Sequence, residues 1–281
     1  MRGPKQLLEF EDHWVTNVGA WFPGERVVFR GKDLFHDLKD LPWMALLIYG
    51  ITGRIPNEKQ VHMFERIWSL CTSYPDPRLW NNRVAALAGT SRSTTALGIA
   101  AATAISEGSI YGGRPIIRSI DFLYRTLERI KNGADLEELV RLELKNYKTI
   151  YGYGRPVTRK DERIEPVMHL ATRLGFADGL YVRLAFDVEK ILLHGRWRLH
   201  MNIAALVAAL AADQGMSQRE YYEFVILSFC AGIHACYTDA STKPEGCLFP
   251  LRCARIVVQN SKRRGWSLDS PIALYKNGLL M

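Results

Sequence analysis

The chain has 281 residues, 48% of them hydrophobic and 23% charged, a balance that predicts a folded globular protein and argues against a disordered one. Its formal net charge of +8 fits an anionic ligand such as a polycarboxylate or a CoA phosphate, a nucleic acid, or only a solvated basic surface. Basic residues are scattered apart from Lys262-Arg263-Arg264, and no DNA- or RNA-binding motif is found, so we expect no nucleic-acid partner.

Membrane, export and metal signals are weak. The longest apolar stretch, Ile203 to Ala212, is too short to span a bilayer, and the N-terminus has no apolar segment typical of a signal peptide. Five cysteines, an odd number, predict reduced thiols and a cytoplasmic protein. Cys230, His234 and Cys236 suggest a metal site, but no second pair at ligand spacing completes it. We therefore expect buried thiols beside a helical histidine and no metal.

The predicted elements are almost all helices. Val27–Phe29 reads as a short strand, and Val84–Glu107 is rich in small residues, which predicts a pair of buried, closely packed helices. Other helices are predicted, in chain order, at Trp43–Tyr49, from Asn57 to Cys71, and at Pro115–Ile130, Leu136–Tyr147, Glu165–Leu174, Gly179–Leu193, Met201–Asp213, Gln218–His234 and Arg252–Arg264.

Four segments occur in the order typical of one known family. They are Val27 to Leu34 with the later Leu46-Leu47-Ile48-Tyr49-Gly50 and Ile55-Pro56-Asn57, then Gly108 to Pro115, then Tyr151 to Lys160 with Arg163 beyond, and finally Leu248 to Arg252 with Gln259 and Ser270 to Gly278. Together they resemble the citrate synthase superfamily, whose corresponding motifs include "G-x-L-H-G-G-A-N" and "G-(F/Y)-G-H-x-V". In its short length the chain resembles the compact citryl-CoA lyase modules of that superfamily.

The resemblance implies a fold, an assembly and a site. The expected fold is all-α, with a large helical domain (residues 1–152 and 241–281) and a smaller inserted helical domain (residues 153–240). A homodimer is expected, with its active site in the cleft between domains. In that family a histidine of "L-H-G" polarises the acetyl thioester and an aspartate of "N-V-D" removes a methyl proton. A histidine of "G-x-G-H" holds the oxaloacetate carbonyl, and arginines bind the carboxylates.

This sequence departs from the family at the acid–base positions. The "L-H-G" histidine is replaced by Tyr111 and the "G-x-G-H" histidine by Arg155. The "N-V-D" segment reads Asn202-Ile203-Ala204, so its aspartate is missing while its asparagine remains. Abstracting a proton beside a thioester needs a base and a donor to the enolate oxygen, so ordinary citrate synthesis is not expected.

Other residues keep or replace parts of the site. Arg159 and Arg252 match carboxylate-binding arginines of the family and, with Asn202, are predicted to bind substrate, since a guanidinium fork fits a carboxylate. Tyr111 and Arg155 are the predicted catalytic residues. Tyr111 can donate a hydrogen bond, act as a base if arginines lower its pKa, or only fill the former histidine space. The seven histidines lie outside the matched positions, and the candidate replacement bases are Asp76, Asp213 and Asp239.

Two functions are consistent with the sequence. The first is a divergent acyltransferase or lyase that forms or cleaves a carbon–carbon bond between an acyl-CoA-type thioester and a 2-oxo acid-like carboxylate. The second is a catalytically inactive homodimer that binds or senses the same ligands. In either case we expect no tightly bound cofactor, a CoA thioester as possible co-substrate, and no membrane association.

Overall fold

Helices dominate the structure, a computed structural model that describes residues 4–13, 15–109, 111–155 and 160–248. The helices are α1 (Pro4–Phe10), α2 (Trp43–Thr52), α3 (Glu58–Cys71), α4 (Trp80–Thr90), α5 (Thr95–Ile105), α6 (Gly113–Lys131), α7 (Leu136–Tyr147), α8 (Ile164–Leu174), α9 (Leu180–His194), α10 (Ile203–Asp213), α11 (Gln218–Ile226) and α12 (Cys230–Ser241). The strands are β1 (Gly19–Phe22), β2 (Arg26–Phe29) and β3 (Lys32–Asp33). The predicted all-α class is confirmed, while the predicted helix at Arg252–Arg264 lies outside the described residues.

A small antiparallel sheet, in the order β1-β2-β3, packs on the end of α2. The Arg30 guanidinium donates to the Gly50 carbonyl over 3.0 Å and 2.7 Å, and the Tyr49 hydroxyl donates to the Arg30 carbonyl over 2.6 Å. The last carbonyls of a helix have no partner within the helix, so a cation placed there stabilises the helix end. The first predicted motif thus anchors the hairpin to the helical body.

The core is built around α10, which is apolar on every side. All residues from Ala205 to Ala212 are buried, as expected of a helix without a polar face. Helix α10 packs against α6 and α9, so helices from both predicted domains share one core. The predicted division at residues 153 and 240 stays a prediction.

Helices α4 and α12 pack closely through small residues. A Cβ atom at Gly89 would lie 2.6 Å from the Tyr237 carbonyl oxygen, so only glycine fits at this crossing. The predicted close packing of α4 with α5 is confirmed, because a Cβ atom at Gly98 would lie 2.9 Å from the Ala88 side chain. The predicted burial holds for α4 but is wrong for α5 within this chain. Helix α5 buries only Gly98 and Ala102, and Leu97 is 65% exposed.

The predicted helix at Gln218–His234 is broken into two. A 3₁₀ turn at Leu227–Phe229 separates α11 from α12, which extends to Ser241. The break coincides with a close approach of another segment, because a Cβ atom at Gly232 would lie 1.8 Å from the Ser73 carbonyl oxygen. The Gly232 amide donates to the Thr72 hydroxyl over 3.3 Å. This tertiary contact is invisible to the local pattern.

One stretch in the described residues is long and apolar enough to cross a membrane. It is Gln218–Ser241, and 44% of its most apolar window is buried inside the protein. Core helices of globular proteins meet the same criterion.

Candidate functional site

A cavity of about 380 Å³ lies where the ends of α3 and α11 meet the starts of α4, α6 and α10. Tyr111, Arg155 and Asn202, which come from three separate sequence motifs, all line it. The volume is within the range of roughly 300–1,000 Å³ usual for small-molecule sites. Three of the five predicted site residues therefore share one cavity, and the other two, Arg159 and Arg252, lie outside the described residues.

A tight turn places Tyr111 just before α6. Gly112 has φ of 100°, and a Cβ atom there would lie 1.7 Å from the Ser106 carbonyl oxygen. The same oxygen accepts a hydrogen bond from the Gly113 amide over 2.7 Å. Because no side chain fits at Gly112, the glycine pair of this motif fixes the position from which Tyr111 enters the cavity.

Aromatic rings hold the Tyr111 side chain. Its ring stacks on Phe229 at 5.7 Å between centroids, with an interplanar angle of 18°, and meets Trp80 edge-on at 5.7 Å. The Tyr111 hydroxyl lies 3.3 Å from the Ser73 hydroxyl, which also donates to the buried amide oxygen of Asn82 over 3.2 Å. The phenol therefore sits at the end of a buried polar network with its ring fixed.

The pKa of Tyr111 is raised above its ordinary value. Burial has the largest effect, and the hydrogen bond with Ser73 and the charge of Arg163 oppose it without reversing it. The possibility that arginines lower this pKa and make Tyr111 a base is therefore wrong for the described site. At neutral pH the phenol keeps its proton and can only donate or accept a hydrogen bond.

A buried ion pair forms the charged end of the cavity. The Arg163 guanidinium binds the Asp161 carboxylate through two contacts of 2.8 Å, and the Asp161 side chain is fully buried. The same carboxylate accepts from the Ile203 amide over 3.0 Å, which caps the start of α10. Burial raises the pKa of Asp161, but the Arg163 guanidinium and the amide donors outweigh it and the net pKa is lowered. Asp161 is therefore ionised at neutral pH, and its charge is paired with Arg163.

Arg155 pairs with a carboxylate beside the cavity. Its guanidinium donates to Glu162 over 2.5 Å, to the Lys160 carbonyl over 3.1 Å, and lies 3.9 Å from Asp161. The Tyr74 hydroxyl donates to the other Glu162 oxygen over 2.6 Å. Hydrogen bonds from Arg155 and Tyr74 lower the pKa of Glu162 to about 2. Arg155 lines the cavity, as its place in the third motif predicts. Its positive charge is already paired with the Glu162 carboxylate.

Asn202 fixes the loop that carries Arg155. Its side-chain oxygen accepts from the Ala204 amide over 3.0 Å, and its side-chain amide donates to the Gly154 carbonyl over 2.8 Å. Gly152, with φ of 95°, lies against α10, where a Cβ atom would be 2.6 Å from Ala205. Asn202 therefore caps α10 and joins it to the loop, a positioning role beside the predicted contact with substrate.

The other candidate bases have structural partners. Asp76 binds Arg78 over 2.6 Å, Asp239 binds Lys243 over 2.5 Å, and Asp213 accepts from the Tyr181 and Val182 amides over 2.9 Å and 3.0 Å. None of the three lines the cavity, and within the described ranges no histidine lines it either. The described part of the chain also holds no group of three His, Cys, Asp or Glu side chains that could bind a metal ion, including around Cys230.

Asp161 and Arg163 are the site residues that sequence reasoning did not select. Arg163 lies just beyond the third motif. The available sequence signal for an ion pair was that Asp161 and Arg163 are two positions apart. The burial of Asp161 depends on α10, some forty positions later, and no local pattern shows it. A larger hollow of about 870 Å³ between α7 and α9 contains none of the predicted site residues.

Several solved structures share this fold. Citryl-CoA lyase from Hydrogenobacter thermophilus aligns with a TM-score of 0.77 and 21% identity, covering 90% of this chain and 97% of that chain. ATP citrate lyase from Methanothrix soehngenii, solved with citrate and coenzyme A, aligns with a TM-score of 0.71 and 14% identity, covering 94% and 45%. Citrate synthase from Thermotoga maritima MSB8 gives 0.62 and 17%, covering 81% and 62%. No protein-family model matches the sequence, and no curated protein matches it.

Proposed function

Because the chain has the all-α fold of citryl-CoA lyase and citrate synthase, we propose that it forms or cleaves a carbon–carbon bond between a CoA-type thioester and a carboxylate-bearing substrate. The observation that carries this proposal is the cavity into which three separate motifs deliver Tyr111, Arg155 and Asn202. The 2-oxo acid is the substrate class that the carboxylate-binding arginines suit, and a CoA thioester is the co-substrate. The proposed reaction is not ordinary citrate synthesis.

The cavity residues have two proposed roles, which are to orient the substrate and to stabilise the negative charge that develops during the reaction. The Tyr111 phenol, neutral and held by stacked rings, donates a hydrogen bond to the oxygen on which negative charge develops. Arg155 and Arg163 orient the substrate carboxylate, and Arg159 and Arg252 are proposed to add to them. The one carboxylate that lines the described cavity is Asp161, which is engaged by Arg163 and α10 and does not serve as the base. The proton that leaves the carbon beside the thioester must therefore pass to an acceptor outside the described lining.

The test is a product assay in both directions. The purified protein is incubated with a panel of acyl-CoA thioesters and 2-oxo acids, and separately with the CoA thioesters of the corresponding 2-hydroxy polyacids, and masses are recorded. A new mass equal to the joined or cleaved product supports the proposal. Arg155→Ala is the test variant, and Arg141→Ala is its matched control, since Arg141 is an exposed arginine outside the cavity. Product formation that is equal in both variants would contradict a role for Arg155.

A second function is favoured by a specific observation. In the described lining, Asp161 is already bound by Arg163, Tyr111 is protonated, and there is no histidine. Such a lining suits a protein that binds the ligands without turnover. Calorimetry separates the two functions, because tight binding of CoA thioesters or 2-oxo acids with no product over the whole panel supports the binding protein. Product formation at any catalytic rate rules it out.

We also propose a homodimer in which α5 is covered by the second copy. Helix α5 is apolar nearly all round yet leaves Leu97 65% exposed, and apolar helices of this kind are normally buried. Changing Leu97 to Asp places a charge in that contact, so light scattering after gel filtration is expected to show the mass falling from twice 32.0 kDa to 32.0 kDa. Leu142→Asp, on the exposed face of α7, is the control and keeps the dimer. A dimer that survives Leu97→Asp would contradict this interface.

A further inference from the structure

The wall of the cavity is mostly apolar. Beside the rings of Tyr111 and Phe229 it is formed by aliphatic side chains from three helices, namely Ile116 of α6, Ile203 and Val207 of α10 and Val225 of α11. A surface of this kind gains about 25 cal/mol for each Å² of apolar ligand area that it removes from water. It offers few partners to a ligand that is charged along its whole length.

The charges that the described residues bring to the cavity are balanced. Three arginines of the described ranges line it, and each one binds a carboxylate: Arg78 with Asp76 at 2.6 Å, Arg155 with Glu162 at 2.5 Å, and Arg163 with Asp161 at 2.8 Å. Among the described residues the three pairs therefore sum to no net charge. The N–H groups of a paired guanidinium can be shared with one ligand carboxylate, but a second or third ligand carboxylate would lose its water without gaining an unpaired cation among the described lining residues.

From the apolar wall and the balanced charges we infer that the cavity takes a 2-oxo acid with one carboxylate and a branched or aromatic body, in preference to a di- or tricarboxylate. The carboxylate lies towards Arg155 and Arg163, and the body lies against Phe229, Val207 and Val225. This inference rests on the proposed function for the class of acid. It goes beyond that function by assigning the selectivity for the acid to the apolar wall beside Tyr111.

Binding of a graded series of acids tests the inference without any need for turnover. The probes are pyruvate, 2-oxobutanoate, 4-methyl-2-oxopentanoate and phenylpyruvate, compared by calorimetry with oxaloacetate and citrate. Each buried methylene is expected to tighten binding about fourfold, so the branched and aromatic acids bind most tightly. Tighter binding of oxaloacetate or citrate would overturn the inference, and so would the absence of binding by every acid in the series.

A matched pair of variants locates the selectivity. Val225 lines the cavity whereas Val140 of α7, which is also buried, does not, so Val225→Thr is compared with Val140→Thr. The added hydroxyl in Val225→Thr is expected to weaken binding of phenylpyruvate at least about fivefold and that of pyruvate little, while Val140→Thr changes neither. Equal effects in the two variants would overturn the inference.

The outcomes for selectivity and for catalysis can be told apart. Binding of the apolar acids with no product from any thioester supports the inference and contradicts the proposed reaction. Product formed from oxaloacetate with no gain from apolar acids supports the reaction and overturns the inference.

Discussion

Replacing Tyr111 with phenylalanine is expected to lower kcat by roughly 10²–10³-fold while changing KM little. The phenylalanine ring keeps the stacking on Phe229 and the edge contact with Trp80, so the wall of the cavity is unchanged. Only the hydroxyl is lost, and with it the donor to the oxygen that becomes negative in the transition state. Steady-state kinetics on the reaction found in the product assay measures both constants.

Two further measurements separate chemistry from packing in this variant. Tyr147→Phe removes an exposed hydroxyl on α7 and should leave kcat unchanged. Burial raises the pKa of Tyr111, so the wild-type rate should show no loss from tyrosine ionisation below about pH 10. Full activity in Tyr111→Phe would exclude the phenol from the reaction and leave it as a filler of the former histidine space.

Replacing Asp161 with alanine is expected to lower the free energy of unfolding by roughly 3–5 kcal/mol. The variant leaves the Arg163 guanidinium without the carboxylate that binds it, and the Ile203 amide at the start of α10 without its acceptor. Urea denaturation at pH 7 measures the change. Asp187→Ala, which removes an exposed partner of Lys190, should cost less than about 1 kcal/mol.

The pH dependence of this effect follows from the direction of the Asp161 pKa. Because the folded-state pKa is lowered, the ion pair contributes its full stability above the unfolded pKa of about 3.9 and loses it as pH falls through the folded value. The difference between wild type and Asp161→Ala should therefore shrink when the pH is lowered below about 4. A difference in unfolding free energy that stays constant down to pH 3 would show that the charge of Asp161 does not contribute to stability and that only its packing does.

Local patterns were enough for most helices but not for their burial. Asn57 and Gln60 form a capping box at the start of α3, and the Asp135 carboxylate caps α7, so both starts could be located from the sequence. The 3₁₀ break before Cys230 could not, because it accompanies a contact with Ser73 far away in the chain. The exposure of α5 was missed because its composition is that of a core helix, and a partner chain is the cover that we propose for it.

The candidate site likewise has features that the sequence predicts and features that only the structure shows. Motif order placed Tyr111, Arg155 and Asn202 in one cavity although they are 44 and 47 positions apart along the chain (155 − 111 and 202 − 155). Which charges are already paired cannot be read from motifs, since Asp161 and Glu162 acquire their roles from the fold around Arg155 and Arg163. The balance of charge, and with it the selectivity that we infer, therefore required the structure.

The carboxylate shared between Arg163 and the first turn of α10 has a consequence for directed evolution. Variant libraries aimed at altering the reaction will sample the residues around Arg163, and a change that displaces the guanidinium also disturbs the acceptor for the Ile203 amide. Many library members will thus be lost to poor folding before their activity is assayed. Compensating substitutions on the distant surface of α7 or α9, made first, would widen the range of active-site sequences that survive selection.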